Sequence, residues 1–203
     1  MELATLIAAF ATLFVVIDPI GLTPLFVALT QGADAAHRRA VALRASVLGF
    51  IILLLFALFG EAVLGFIGIS MSAFKISGGI LLLLTALDML FERRTKRRED
   101  KVVELPDPSV FPLATPLIAG PGAIASVILL MGEADSLAGS LTVVGVLAVV
   151  VLCVFLLFVA GGALEKIVGQ TGINVVTRLL GMLLAALAVQ FILDGLLSVS
   201  WPV

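Results

Sequence analysis

The sequence predicts an all-α membrane protein: six transmembrane helices arranged as two inverted three-helix repeats, with broken helices in spans one and four. Composition, span length and internal repetition point there. The chain is 203 residues long and 62% hydrophobic, with a mean hydropathy of +1.28, whereas a soluble domain is about half apolar. Its apolar residues fall into six stretches, each near the ~20 residues a bilayer needs. Residues of the first half recur, in order, in the second.

The first span, about 3–30, is interrupted by Asp18-Pro19-Ile20-Gly21-Leu22-Thr23-Pro24. Each proline removes a backbone donor and clashes with the preceding turn. Glycine admits backbone angles other residues resist, and a carboxylate in lipid is costly unless paired, solvated or protonated. The expectation is a helix broken at membrane depth, where protein or a watery cavity must cover the freed backbone groups. Asp18-Pro19 and Thr23-Pro24 both read as an N-cap followed by proline at the first helical position. A polar loop, 31–39, leads to the second span, about 41–65, with Arg44 placed to snorkel. The third span is about 74–91. A charged linker, 92–109, contains Arg93-Arg94-Thr95-Lys96-Arg97-Arg98, and Pro106-Asp107-Pro108 should keep it non-helical. The fourth span, about 110–131, carries a second break in Thr115-Pro116-Leu117-Ile118-Ala119-Gly120-Pro121-Gly122. The fifth is about 137–164 and the sixth about 176–199. The organisation expected is a first repeat (1–91), a cytoplasmic linker (92–109) and a second repeat (110–203).

Charge sets the orientation. Of the twelve Lys and Arg residues, only Lys75 falls on one side; the rest fall in the loop after span one, the linker and the turn before span six. Basic loops stay cytoplasmic, so both termini are expected outside in a multi-pass cell-membrane protein. Met1-Glu2-Leu3 has no basic n-region, so no cleaved signal peptide is expected.

The repeat is clearest where the second and third spans of each half meet. Glu61-Ala62-Val63-Leu64-Gly65-Phe66-Ile67-Gly68-Ile69-Ser70 matches Glu165-Lys166-Ile167-Val168-Gly169-Gln170-Thr171-Gly172-Ile173-Asn174 in Glu, both glycines and Ile. Lys75-Ile76-Ser77-Gly78 then aligns with Arg178-Leu179-Leu180-Gly181. Three spans per repeat invert the second copy, and paired interrupted spans in two halves point to a transporter binding site. An offset of 102 superposes Pro19 on Pro121, while the spacings Pro19/Pro24 and Pro116/Pro121 suggest 97; the sequence leaves both open.

Ile17-Asp18-Pro19-Ile20-Gly21-Leu22-Thr23-Pro24-Leu25-Phe26, together with residues 115–122, resembles the paired signatures of the MarC family, also described as small neutral amino acid transporters. The likeness covers the whole chain. It implies transport of glycine, alanine or similar small amino acids, coupled to an ion, Na+ or H+. The family name refers to multiple antibiotic resistance, but nothing in these residues supports drug efflux.

A zwitterion needs both ends satisfied in a dry place. Exposed helix N-termini suit its carboxylate; unwound carbonyls or Asp18 suit its ammonium. The candidate substrate-binding residues are Asp18, Pro19, Gly21, Thr23, Pro24, Thr115, Pro116, Gly120, Pro121 and Gly122, with Ala119, Ala123 and Gln190 more peripheral. Na+ near Asp18 is a candidate ligand, because a carboxylate at membrane depth suits a cation. The plainer account is that Asp18 only caps the restarted helix and both breaks are packing kinks. Asp88 and Asp194 read as interfacial carboxylates, Asp88 beside Arg93 or Arg94. Gln190 either bonds across helices or faces the cavity. Gly78-Gly79 and Gly161-Gly162 read as close-packing points. His37, the one histidine, reads as solvated, and Cys153, the one cysteine, as a packing residue.

An enzyme is not expected: neither Asp88 nor Asp194 has the Gly-x-Gly flank of intramembrane aspartyl proteases, and His37 lies far from membrane depth. No cofactor, catalytic residue or His-based metal cluster is expected, and no nucleic-acid partner; the partners are a small neutral amino acid and the bilayer. A channel would want a polar stripe, which spans two and five lack. A LysE-like exporter, or a non-transport membrane stress or resistance protein, stands as the alternative. Direction of flux and oligomeric state are not fixed by the sequence.

Overall fold

The structure is a computed structural model that describes residues 3–91, 107–134 and 136–199. The basic run and the rest of the expected linker up to Pro106 lie outside the described residues. Among the described residues every regular element is a helix and no strand occurs: α1 (Leu3–Ile17), α2 (Pro19–Leu29), α3 (Ala35–Ile67), α4 (Met71–Leu90), α5 (Ser109–Ile118), α6 (Pro121–Gly132) and α7 (Leu137–Leu197). Five spans are long and apolar enough to cross a membrane: Leu3–Leu29, α3, α4 and the two arms of α7, Leu137–Ala163 and Thr171–Leu197. The pair α5 and α6, bent by 54°, makes a sixth if counted as one span.

Local chemistry sets most boundaries. Asp34 caps α3, its carboxylate accepting from the His37 amide at 2.7 Å. With Ala35, Ala36 and Ala40 as strong helix formers, the expected polar loop up to Arg39 therefore shortens, and helix begins at Ala35. Arg44 forms an ion pair with Asp107 at 3.3 Å, tying α3 to the approach of α5. Gly68, at φ 83°, ends α3; its amide and that of Ile69 close on the Gly65 and Leu64 carbonyls. Ser70 then caps α4. The expected turn between spans five and six is mostly helical: α7 runs through it and is interrupted only at Gly169, φ 67° and ψ 162°, a conformation essentially confined to glycine. A straight helix of 61 residues would reach about 90 Å, so a break there is needed to keep both arms within one bilayer.

Close glycine contacts set the directions of the spans. A Cβ built on Gly79 would meet the Ala188 carbonyl and Ile192 side chain, each at 2.7 Å. Gly181 lies against Met89, and Gly195 against Ile76 and Ser72. Thus α4 and the second arm of α7 run antiparallel in the most extensive contact of the molecule. Gly49 sits under Ile118 and Gly60 under Ile128, so α3 runs parallel to the α5–α6 pair. Gly78 faces Ala125 and Leu129, whereas Gly122 faces Leu82, so α4 opposes α6. Lipid tails give apolar helices no reason to associate beyond packing, and small residues let backbones approach. The Lys75–Glu133 ion pair, at 3.0 Å, closes the end of the bundle where α4 begins and α6 finishes. Leu13, Leu22, Leu53, Leu82, Leu113 and Leu147 fill the buried core. Large apolar side chains such as Leu55, Phe59, Leu84 and Leu156 point outward, as a lipid-facing surface requires.

Substituting Gly79→Val should lower the melting temperature of the purified protein sharply, by the equivalent of about 1–3 kcal/mol for overpacking. Gly65→Ala, where a Cβ meets nothing within 4 Å, should leave it unchanged or slightly raised. Equal losses in both variants would contradict the packing described.

Candidate functional site

Asp18 is the single residue between α1 and α2, and it is left-handed, with φ 56° and ψ 61°. It is the one non-glycine residue of positive φ among those described. Part of the cause is local: the residue before a proline is disfavoured in the right-handed helical region, and Pro19 occupies the first position of α2; the left-handed alternative, unlike the extended one usual before proline, goes with an unbroken helical ladder. Aspartate tolerates this conformation better than most residues, at a cost of roughly 1–2 kcal/mol. The helical ladder runs across the interruption: the Asp18 amide donates to the Phe14 carbonyl at 2.9 Å, and the Leu22 amide donates to the Asp18 carbonyl at 3.0 Å. The carboxylate folds forward and accepts from the Gly21 amide at 3.0 Å. A Cβ on Gly21 would collide with that carboxylate, so glycine is what lets the cap form. Asp18 is 1% exposed.

Thr23-Pro24 does not start a helix. Both lie inside α2, where the Thr23 hydroxyl donates to the Pro19 carbonyl at 2.9 Å. Pro24 has no N–H to offer the Ile20 carbonyl four residues back. Thr23 faces the first arm of α7, its methyl 3.0 Å from where a Gly161 Cβ would fall. That contact belongs to the seam between α2 and α7 rather than to the second interruption.

The second interruption is broader. In α5 the Leu113 amide donates to the Pro108 carbonyl at 3.2 Å and the Ala119 amide to the Ala114 carbonyl at 2.9 Å, wide turns closing five residues back. Phe111, Thr115 and Pro116 leave helical geometry, and the peptides preceding Pro112 and Pro116 are cis. Gly120 caps α6 with extended backbone and no side-chain hydrogen bond, and Pro121 takes the first helical position. Asp18 and Gly120 are thus both caps, and Pro19 and Pro121 both first residues. With no N–H on Pro121, the amides of Gly122 and Ala123 head α6, ahead of the Ile124 amide that bonds the Gly120 carbonyl at 2.9 Å.

The two interruptions meet through small contacts. A Cβ on Gly122 would meet Leu82 at 3.0 Å, Val16 at 3.3 Å and the Thr85 hydroxyl at 3.7 Å. Val16 is two residues before Asp18, so the start of α6 abuts the end of α1. Gly120 packs over the Pro116 carbonyl, 2.6 Å from its would-be Cβ. Ala119 and Ala123 are buried, Thr115, Gly21 and Pro24 half-buried, and Pro116 and Pro121 exposed. Gln190 is not brought here: it is exposed and donates within its own helix to Asp194 at 2.7 Å. The partners expected for Asp88, Arg93 and Arg94, lie outside the described residues. Sequence reasoning missed Val16, Leu82 and Thr85, and also Ser126. The Ser126 hydroxyl is fully buried, has no hydrogen-bond partner among the described residues, and stands one helical turn beyond Gly122. A lone serine four residues after that glycine in an apolar run was the available signal. Among the described residues no group of three or more His, Cys, Asp or Glu side chains could hold a metal.

These features define a multi-pass helical membrane protein with a buried carboxylate where an apolar span is interrupted. The chain belongs to the MarC family of integral membrane proteins, whose model matches residues 3–200. It is 40% identical over 201 residues to the UPF0056 membrane protein MJ1677 of Methanocaldococcus jannaschii, covering 97% of this chain and 98% of that relative. It is 35% identical to the UPF0056 membrane protein YvbG of Bacillus subtilis, covering 97% and 96%. Identity is also 35% to the UPF0056 membrane protein YhcE of Escherichia coli, covering 92% and 89%. No solved structure matches the chain.

Asp18 and Gly21 should be energetically coupled. Gly21→Ala in the native background should destabilise the protein by displacing the cap, a loss of about 1–2 kcal/mol. In an Asp18→Gly background, which keeps the left-handed backbone and removes the carboxylate, the same change should cost little. Additive losses in a denaturation cycle would show that the cap does not require Gly21.

Proposed function

We propose that the chain is a cell-membrane secondary transporter of small neutral amino acids, glycine and alanine above all, coupled to Na+ or H+. The observation that carries this reading is the buried Asp18 carboxylate, set where α1 gives way to α2, in a span whose Val16 packs on Gly122 at the start of α6. An intramembrane carboxylate at such a place is a functional group by default. The substrate carboxylate would take the amides of Gly122 and Ala123 at the positive end of α6. Its ammonium would take Asp18 together with carbonyls freed by proline, such as that of Ile20. Val16 and Leu82 crowd Gly122, leaving room for a hydrogen or a methyl group in place of a longer side chain. The same carboxylate offers the charge that a coupling ion needs. Transport requires no catalytic residue, and none is assigned.

Alternating access would follow from two inverted repeats. The parallel run of α3 with α6 and the antiparallel run of α4 with the second arm of α7 fit a second half that crosses the membrane in the opposite sense to the first. The equivalence of Asp18-Pro19 with Gly120-Pro121 fits the same duplication. Exchange of the two halves' conformations would move the opening across the membrane, with both termini outside and the basic loops cytoplasmic.

The test is a thermal-shift series on detergent-purified protein with glycine, L-alanine, L-serine, L-leucine and L-lysine, each in sodium and in potassium. A ligand present at a hundred times its Kd stabilises the folded state by about 2.7 kcal/mol. Glycine and alanine should raise the melting temperature, and leucine and lysine should not. A sodium requirement would name the coupling ion, whereas equal behaviour in both salts would favour the proton. No shift with any of the five at millimolar concentration would contradict the proposal.

A further inference from the structure

A second site lies away from the interruptions, at the end of the bundle where α2 finishes and α3 begins. A cavity of about 220 Å3 is lined by Phe26, Ala35, Arg38, Arg39, Phe158 and Val159. Its apolar side is closely packed. Phe26 and Phe158, each 1% exposed, stack with ring centroids 4.4 Å apart and planes 6° from parallel. Val159 is 49% exposed, so this wall continues onto the outer surface of α7, which meets lipid. The other side is cationic. The Arg38 guanidinium lies over Gly162, 3.9 Å from where a Cβ would be, and Arg39 follows it in sequence.

Neither arginine is among the ion pairs formed by the described residues, Arg44–Asp107 and Lys75–Glu133. Asp34, the carboxylate nearest them in sequence, is engaged in capping α3 through the His37 amide. Both cations stand about one turn into α3, near its positive end, where a cation is disfavoured and an anion is stabilised. Two guanidinium groups beside an apolar wall at the edge of the membrane suit a phosphate carrying an apolar body, since guanidinium binds phosphate oxygens in pairs. We infer that this pocket binds a phosphate group, held by Arg38 and Arg39, with the apolar part of an anionic phospholipid lying along Val159 and the outer surface of α7. The inference does not rest on the transport reading.

The test uses the full chain in nanodiscs of phosphatidylcholine, with and without phosphatidylglycerol, and adds millimolar inorganic phosphate to the neutral discs as a separate arm. Melting temperature and lipid retained in native mass spectrometry are the readouts. Phosphatidylglycerol should stabilise the protein and remain bound. Arg38→Gln/Arg39→Gln should melt as the native protein does in phosphatidylcholine but lose the shift, with retention weakened at least about tenfold. Arg38→Lys/Arg39→Lys, which keeps charge without the paired geometry, should retain part of it. If phosphate alone gives the same arginine-dependent shift, the ligand is a free anion at the same site. A shift of equal size in the glutamine variant and the native protein, or no shift in either arm, overturns the assignment. Should the glutamine variant fail to purify, Val159→Trp fills the pocket and leaves both charges; it too should lose the shift, and a full shift there overturns the assignment equally.

Discussion

The structure depends on how a single proline constrains the residue before it. Pro19 cannot donate a backbone hydrogen bond and disfavours the right-handed helical region at Asp18. The chain answers with a left-handed residue rather than an unwound loop. That solution needs a side chain able to satisfy the orphan amides that follow, and a position three residues on with nothing in the way. Asp18 and Gly21 meet both demands. The result is a carboxylate fixed in the middle of an apolar span of 27 residues without opening the backbone around it. The start of α6, also headed by a proline, has Gly120 instead. Gly120 offers no side chain to cap α6, and on the proposed reading the amides of Gly122 and Ala123 take the substrate carboxylate. The two interruptions differ in that one cap has a carboxylate and the other has none.

Everything around this pair is held by close backbone approach. Gly122 brings α6 against Val16 and Leu82, and Gly49 and Gly60 seat α3 beneath Ile118 and Ile128. Gly79, Gly181 and Gly195 lock α4 to the second arm of α7. In a bilayer these contacts supply the specificity that water-driven burial supplies in a soluble core. The electrostatic ties, Arg44–Asp107 and Lys75–Glu133, are kept to the ends of the spans, where partial solvation makes each worth little.

How much of this was legible in the sequence follows from how local each effect is. The places of interruption were legible, because proline and glycine act through covalent geometry within a turn. The cap at Asp18 was legible for the same reason. Thr23-Pro24 carried the same local signal and was misread: once α2 has started at Pro19, the Thr23 hydroxyl is absorbed by the Pro19 carbonyl and the helix continues past Pro24. The start of α3 was placed too late because polarity was taken for loop, whereas Asp34 and the alanines carry helix out beyond the apolar run. The Arg44 partner, Asp107, lies far along the chain and is a matter of packing, whereas Gln190 and Asp194 stand four apart, a helix pair that local spacing offers. The pocket between Phe26, Phe158 and the paired arginines joins residues over 130 positions apart, and no local pattern announces it.

The central claim is that Asp18 is a ligand as well as a cap, and one variant separates the two roles. Asn tolerates the left-handed backbone and offers an oxygen to the Gly21 amide, but carries no charge. Uptake of labelled glycine into proteoliposomes, at matched protein incorporation, is therefore the most direct measurement. The account predicts that Asp18→Asn melts near the native temperature yet loses most of its uptake. Uptake at the native rate in that variant would contradict it and leave Asp18 a structural cap.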